Sequence, residues 1–521
     1  MPYRTFFLSL LTTLLLALPA RAAERVLFSY GPFEFSVAVA DLDRFAREGT
    51  VSKDLGFILN RFSPERQAQV RALLKLRHQV DPVVVSRVTY SSTGERLLKR
   101  LGQMIQTEDR QNGLYAIRGA VLLSASDPEG LTVNNFLRKF PTNARLDIVK
   151  VLDFVDELTG IIRDTDRFMA ELQQQSTIAA KAESPTETTP FADLTQPGEF
   201  GVAMQTLNWR DETRDRPIPI DLYRPETTTP SPVIILSGGL GARREHYAYL
   251  AEHLASHGYV AVVVEHVGSN FERQRDFFRG LYSENFDAAE FIDRPRDITF
   301  VLDELERLNA SDFNGQLNLQ QVGMYGYSFG ATTALALAGA EINFEQVEQD
   351  CSGEVNVINI SVLYQCRALE LPRQRYDLQD DRIKAAFLFV PFGNSIYGQQ
   401  ALNRVQIPIF WQATNEDVVT PLIMEQIPLY ERLPSPDKYL VVSKGLPHTR
   451  VILGLLDRVT NGNRVQMADQ LALVTQRYLE SFSLAFFQVY ITQDESYRRY
   501  LQASYAEALT QQPYSLGFVQ D

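Results

Sequence analysis

The chain has little cysteine and little histidine. Among 521 residues there are two cysteines and six histidines. The histidines are scattered, and neither H-E-x-x-H nor a Cys/His cluster gives metal-ligand spacing. Positive charge is also short: 51 Lys and Arg face 64 Asp and Glu, a net charge of −13, and no basic stripe is present. That balance excludes the counterion-releasing surface on which nucleic-acid binding depends. Neither G-x-x-x-x-G-K-[ST] nor a complete G-x-G-x-x-G occurs, so nucleotide binding has no support. No internal repeat is present. Beyond the N-terminus no run of 18 apolar residues occurs, so no membrane-spanning helix is expected there. What remains is an ordinary globular composition, 45% apolar and 22% charged, on a chain long enough for two or three domains. No cofactor and no metal are expected.

The N-terminus has a distinct pattern. Met1-Pro2-Tyr3-Arg4 carries one positive charge, an apolar stretch runs from Phe6 to Leu18, and Pro19 precedes Ala20-Arg21-Ala22. These read as the three regions of a secretory signal peptide over residues 1–22, with an uncleaved anchor helix as the alternative. The mature protein is therefore expected to be exported, periplasmic or secreted. In that setting Cys351 and Cys366 are expected to pair as a disulfide, the alternative being two buried thiols.

A mainly helical domain is expected over residues 23–172. It opens with a small hairpin, apolar residues alternating on both sides of Gly31-Pro32. Ser63-Pro64-Glu65 is a helix start, with cap, first-turn proline and first-turn acid. Leu97, Leu98, Leu101, Met104 and Ile105, and later Ile148, Val151, Leu152 and Val155, recur at helical spacing and are expected to be core. Thr132 is expected to cap a short helix. Residues 173–190, rich in Gln and then in Ser, Thr and Pro, read as a linker.

Residues 191–521 alternate short apolar runs with helical stretches. The runs Val233-Ile234-Ile235-Leu236, Val260-Ala261-Val262-Val263-Val264, Val322-Gly323-Met324-Tyr325, Phe387-Leu388-Phe389-Val390, Ile409-Phe410-Trp411 and Leu440-Val441-Val442 are nearly continuous. Such strands are buried on both faces, which predicts an α/β domain with a mostly parallel sheet flanked by helices. Ligand sites in such sheets lie at the carboxyl ends of the strands.

One pattern at such an end carries chemistry. Gly326-Tyr327-Ser328-Phe329-Gly330 follows an apolar strand and precedes the helical stretch 331–338. This is the G-x-S-x-G turn that exposes a nucleophilic serine, with small residues where the backbone turns sharply. A serine needs a base, and the base needs an orienting carboxylate. Downstream of Ser328 the sole histidine is His448, just past a strand end, so it is the candidate base. Between them Asn415-Glu416-Asp417 follows another strand, and Asp417 is favoured over Glu416 as the acid. The order Ser, acid, His is that of α/β-hydrolases. The backbone N–H of Phe329 and one from the loop 238–241 are the candidate oxyanion donors. His266 and the run Arg294-Pro295-Arg296-Asp297, placed just before a helix, are read as structural. Residues 341–381, which hold both cysteines, form an insertion where lids sit. Residues 481–490 are expected to be a buried helix, with contact to a membrane surface as the alternative.

Ser237-Gly238-Gly239-Leu240-Gly241, then Leu254-Ala255-Ser256-His257-Gly258-Tyr259, Val264-Glu265-His266 and the serine turn, resemble platelet-activating-factor acetylhydrolases and dienelactone-hydrolase-like esterases. The resemblance covers roughly residues 191–448, and residues 193–225 look like the entry strands of that group. It implies an α/β-hydrolase fold, no cofactor and ester cleavage, with the N–H groups of Leu240 and Phe329 forming the oxyanion site. The N-terminal region resembles a bacterial domain of unknown function found ahead of such hydrolases. Two departures stand out. The acetylhydrolases carry their acid after the strand that follows the serine, where this chain reads Phe389-Val390-Pro391-Phe392. Their loop histidine is replaced by Gly238. The expected activity is therefore an exported serine hydrolase acting on a small-molecule ester or lipid. A catalytically silent binding module and an acyltransferase are the rival readings.

Overall fold

The structure, a computed structural model, describes residues 22–183, 190–353, 358–398, 400–448 and 468–520. Residues 1–21 of the expected signal peptide lie outside these. The chain divides into two compact units, Met1–Glu157 and Leu158–Asp521.

The first unit contains a four-stranded sheet in the order β2-β1-β4-β3: β1 (Arg25–Tyr30), β2 (Phe33–Ala38), β3 (Ile105–Gln106) and β4 (Ala144–Asp147). The hairpin read from sequence is β1–β2, with Gly31 at φ 56° in its turn. The reading of a mainly helical domain left out β4, which pairs in parallel with β1. Two facing strands more than a hundred residues apart leave no local signal. Among the described residues seven helices accompany the sheet: α1 (Val39–Glu48), α2 (Lys53–Leu59), α3 (Pro64–Lys75), α4 (Pro82–Tyr90), α5 (Ser92–Met104), α6 (Leu114–Ala125) and α7 (Val133–Lys139). Several of their starts are chemically marked. Ser63 accepts from Arg66 N, Ser91 from Gly94 N and Thr132 from Asn135 N, each satisfying an amide with no intrahelical partner. Val26, Leu98, Ile117, Leu137 and Phe140 form the main core of this unit.

Helix α8 (Ile148–Glu183) corrects two expectations. Leu152 and Val155, expected in a core, are 47% and 44% exposed. Residues 173–183, expected in a linker, are helical, and Ser176 and Ala180 are buried. Gln, Ala, Glu and Lys favour helix, so a polar composition did not mean loop. Glu183 accepts from the N–H groups of Ala503 and Ser504, at 3.4 and 2.8 Å. The remainder of the expected linker, residues 184–189, lies outside the described residues.

The second unit is built on a nine-stranded sheet in the order β13-β12-β11-β10-β9-β7-β8-β6-β5. The strands are β5 (Val202–Asp211), β6 (Arg216–Pro225), β7 (Ser231–Ser237), β8 (Val260–Val264), β9 (Leu317–Tyr327), β10 (Ile383–Phe389), β11 (Ile409–Thr414), β12 (Lys438–Ser443) and β13 (Leu516–Gln520). From β8 across to β12 all pairs are parallel, whereas β5, β6 and β13 run antiparallel at the two edges. Its helices include α9 (Ala248–Ser256), α10 (Phe271–Phe278), α11 (Glu290–Asn309), α12 (Phe329–Leu337), α13 (Phe344–Ser352), α14 (Ile360–Gln365) and α15 (Ala468–Tyr490). This is the α/β-hydrolase arrangement.

Side chains alternate along strands. Ile234, Leu236, Ala261 and Val263 share one core with Leu250, Leu254, Phe482 and Phe486 of α9 and α15. Residues 481–487 are buried throughout, so this stretch is an interior helix. In the same layer Tyr325, Phe387, Phe410 and Tyr439 sit in register on four neighbouring strands. Their ring centroids are 5.6, 4.7 and 5.9 Å apart and the rings are stacked nearly parallel. Such stacked pairs add to what burial of the rings already contributes.

The insertion over residues 341–381 is tied into the domain. Cys351 and Cys366 are joined as a disulfide. Asn359 and Gln365 donate to the carboxylate of Glu425, which is fully buried and also accepts from Gly393 N and Asn394 N. Helix α11 begins at Glu290, so Arg294-Pro295-Arg296-Asp297 lies inside it rather than before it. The proline had marked a helix start too late.

Candidate functional site

Ser328 occupies the junction of β9 and α12 with φ 53° and ψ −115°. A non-glycine residue at positive φ is strained, and its neighbours hold it there. A Cβ on Gly326 would come within 2.4 Å of Gly330 O, and one on Gly330 within 1.9 Å of Ser237 O. Both glycines are therefore fixed by contact. Ser328 N donates to Phe389 O at 2.8 Å, which fastens the turn to β10.

The structure brings Ser328, His448 and Asp417 into one chain of hydrogen bonds. Ser328 Oγ lies 3.0 Å from His448 Nε2, and His448 Nδ1 lies 2.6 Å from Asp417 Oδ2. The carboxylate is itself oriented: Oδ1 accepts from Val419 N and Thr420 N at 2.8 and 2.7 Å, and Oδ2 from Thr420 Oγ1 at 2.6 Å. Asp417 is buried, whereas Glu416 faces solvent, which separates the two acids that the sequence left open. A carboxylate that accepts from Nδ1–H leaves Nε2 as the acceptor facing the serine hydroxyl. The acid loop and the histidine loop are also joined, since Gly445 N donates to Asn415 Oδ1 at 2.8 Å and Thr414 Oγ1 donates to Leu446 O. Tyr327 Oη donates to His448 O at 2.6 Å.

Phe329 is the first residue of α12, where amides have no intrahelical acceptor. Leu240 lies in the loop after β7. Gly239 N in that loop donates to Tyr247 Oη at 3.2 Å and Gly241 N to Ser269 O at 2.8 Å. Gly239 packs against the serine, since a Cβ on it would approach Ser328 Cβ to 3.2 Å.

A second serine–histidine–carboxylate chain lies behind this loop, and sequence reasoning missed it as a unit. Ser237 Oγ is 2.9 Å from His266 Nε2, and His266 Nδ1 is 3.0 Å from Asp297 Oδ2. Its chemistry differs from that of the first. Ser237 is completely buried, and burial, followed by the Arg294 charge, holds His266 well below its usual pKa. Asp297 further receives Arg216 Nε at 2.8 Å and Arg214 Nη1 at 2.9 Å. An enclosed serine cannot meet a substrate, so this chain is a fastening between β7, β8 and α11. No spacing in the sequence links the three, since Ser237 ends β7, His266 follows β8 and Asp297 lies inside α11.

Among the described residues no group of three or more His, Cys, Asp or Glu is placed to hold a metal ion. Nor is any described helix long and apolar enough to cross a membrane. A cavity of about 740 Å³, lined among others by Tyr223, Tyr249, His253 and Glu480, does not include Ser328.

Comparison with known proteins agrees with this architecture. Residues 22–147 match a family described as an alpha/beta hydrolase of unknown function (DUF1400), and residues 221–271 match platelet-activating factor acetylhydrolase, isoform II. No curated protein matches the chain. The second match runs from β6 through the glycine loop to the start of α10. The chain thus joins an N-terminal domain similar to that hydrolase family of unknown function to an α/β-hydrolase unit that carries an acetylhydrolase-like segment.

Proposed function

We propose that the protein is a serine hydrolase that cleaves carboxylic esters through an acyl-enzyme. The observation that carries this reading is the continuous run Asp417–His448–Ser328, with contacts of 2.6 and 3.0 Å. Ser328 Oγ attacks the ester carbonyl carbon as its proton passes to His448 Nε2. The carbonyl oxygen becomes an oxyanion, held by the N–H groups of Leu240 and Phe329. Asp417 keeps His448 in the required tautomer and stabilises the imidazolium. As the tetrahedral intermediate collapses, the bond to the leaving oxygen breaks and His448 gives that oxygen its proton. Water then attacks the acyl-serine, giving one proton to His448, and Ser328 recovers a proton as the acid leaves.

One feature supports an ester as substrate: the acetylhydrolase-like segment contains the glycine loop. Platelet-activating-factor-like phospholipids are one candidate class. The acid on the loop after β11 rather than after β10 and Gly238 in the loop set this site apart from that class, so short acyl esters are equally in scope. The N-terminal sequence supports export to the periplasm or the medium.

The experiment is active-site labelling joined to turnover. A fluorophosphonate should attach to Ser328 of the full chain, and p-nitrophenyl esters should be hydrolysed. Labelling that persists in Ser328→Ala, with unchanged ester turnover, would end the proposal.

A further inference from the structure

Arg294 takes no part in the Ser328 relay, yet it is 2% exposed directly behind it. Its Nη2 donates to Gly238 O at 2.8 Å and its Nε to Ser269 Oγ at 3.1 Å. The guanidinium carbon lies 4.4 Å from the centroid of the Phe329 ring. Glu290, fully buried one turn earlier on α11, stands 3.7 Å away and supplies the opposite charge.

These contacts fall on the two segments that carry the oxyanion donors. In the peptide plane between Gly238 and Gly239, Arg294 holds the carbonyl and Tyr247 holds the N–H. In the next plane, Gly239 O accepts from Ala242 N at 3.2 Å, and the N–H is that of Leu240. A trans peptide directs its N–H opposite to its carbonyl, so fixing Gly239 O aims the Leu240 N–H. In the third plane, Gly241 N donates to Ser269 O, and Ser269 also receives Arg294. The other donor is Phe329, and the carbon of the same guanidinium lies over its ring.

We propose that Arg294 is a positioning residue that sets the separation between the Leu240 and Phe329 amides. The inference rests on the ester-hydrolase reading above. An enclosed cation is costly to desolvate, and an apolar residue of similar size usually stabilises a core at least as well. Burial holds the Arg294 guanidinium down to about 10, against the partial compensation of Glu290. What an apolar side chain lacks is a fork of donors that holds the glycine loop while its central carbon lies over the Phe329 ring. Lysine lacks it too, because an ammonium has no flat face and no fork of donors.

The test compares Arg294→Lys and Ser269→Ala with the wild-type full chain. The readouts are kcat, KM, thermal midpoint and inhibition by an aryl trifluoromethyl ketone, which forms a tetrahedral oxyanion on the serine. Displaced donors should lower kcat about 10- to 100-fold for Arg294→Lys, short of the effect of deleting a donor. KM should stay within about twofold, and ketone inhibition should weaken by the same factor as kcat. Ser269→Ala should show the same signature with a smaller amplitude. A purely structural residue would lower the thermal midpoint while each labelled Ser328 kept its kcat and its ketone affinity, and that result overturns the proposal. Wild-type protein without ester turnover or label overturns the hydrolase reading, and this one with it. Wild-type turnover matched by Arg294→Lys overturns the positioning role alone.

Discussion

The hydroxyl of Tyr327 donates to the carbonyl of His448 across 2.6 Å, so the residue before Ser328 holds the backbone of His448. The Tyr327 ring also lies 5.6 Å from the His448 imidazole. Deleting the hydroxyl leaves a part-buried carbonyl unpaired, at a cost of about 1–3 kcal/mol. Tyr327→Phe should therefore lower kcat roughly tenfold with little change in KM, since the loop that carries His448 loses one of its ties. Steady-state kinetics on a p-nitrophenyl ester check this. An unchanged kcat would mean that the remaining ties, from Gly445 to Asn415 and from Thr414 to Leu446, suffice.

The two adjacent acids should behave very differently. Asp417→Asn removes the acceptor that fixes the His448 tautomer, and kcat should fall by about three to four orders of magnitude. Glu416 is exposed, so Glu416→Gln should stay within about twofold. The pair of variants, assayed side by side, decides between the acids, and the reverse order of effects would move the acid to Glu416.

Acid should destabilise the fold before the carboxylates titrate. Burial and then the neighbouring His257 hold His253 down to about 3, and burial also lowers His257 and His266. Below about pH 6.5 the unfolded chain binds protons at these sites and the folded chain does not. Stability from them is thus complete above pH 6.5 and is lost as pH falls toward the folded values. Each such group contributes up to about 1.4 kcal/mol per pH unit. Urea melts between pH 7.5 and 5 should show this slope, and His253→Gln should reduce it. A flat profile over that window would refute neutral burial.

The aromatic ladder should be a centre of stability. Phe410 is completely buried between Phe387 and Tyr439, with Phe482 5.2 Å away. Phe410→Ala should cost about 3–5 kcal/mol, as large-to-small core changes do. Denaturant unfolding measures it, and a loss under about 1 kcal/mol would show that the layer collapses around the gap.

Ser328 and His448 were readable because their constraints are local: two glycines that must be small, and a sole downstream histidine. Asp417 was favoured over Glu416 but not separated from it, since a loop has no period, and it is burial and the contact with His448 Nδ1 that distinguish them. Arg294 was hidden by Pro295, which sits inside α11 while marking a helix start by its chemistry. The Ser237–His266–Asp297 chain joins three elements that come together only in the folded sheet, and no spacing announces it. In the first unit β4 escaped notice for the same reason.

The buried half of α8 bears on where the second unit can be cut free. Met169, Leu172, Ser176 and Ala180 face inward, a Cβ on Gly517 would touch Leu172, and Glu183 holds the amides of Ala503 and Ser504. A truncation starting at Pro190, where composition changes, would open a slot along the second unit and leave two helix-start amides unpaired. One starting near Leu158 keeps them. A fragment that fails from Pro190 yet folds from Leu158 would show that the autonomous second unit includes a helix that its sequence presents as a spacer.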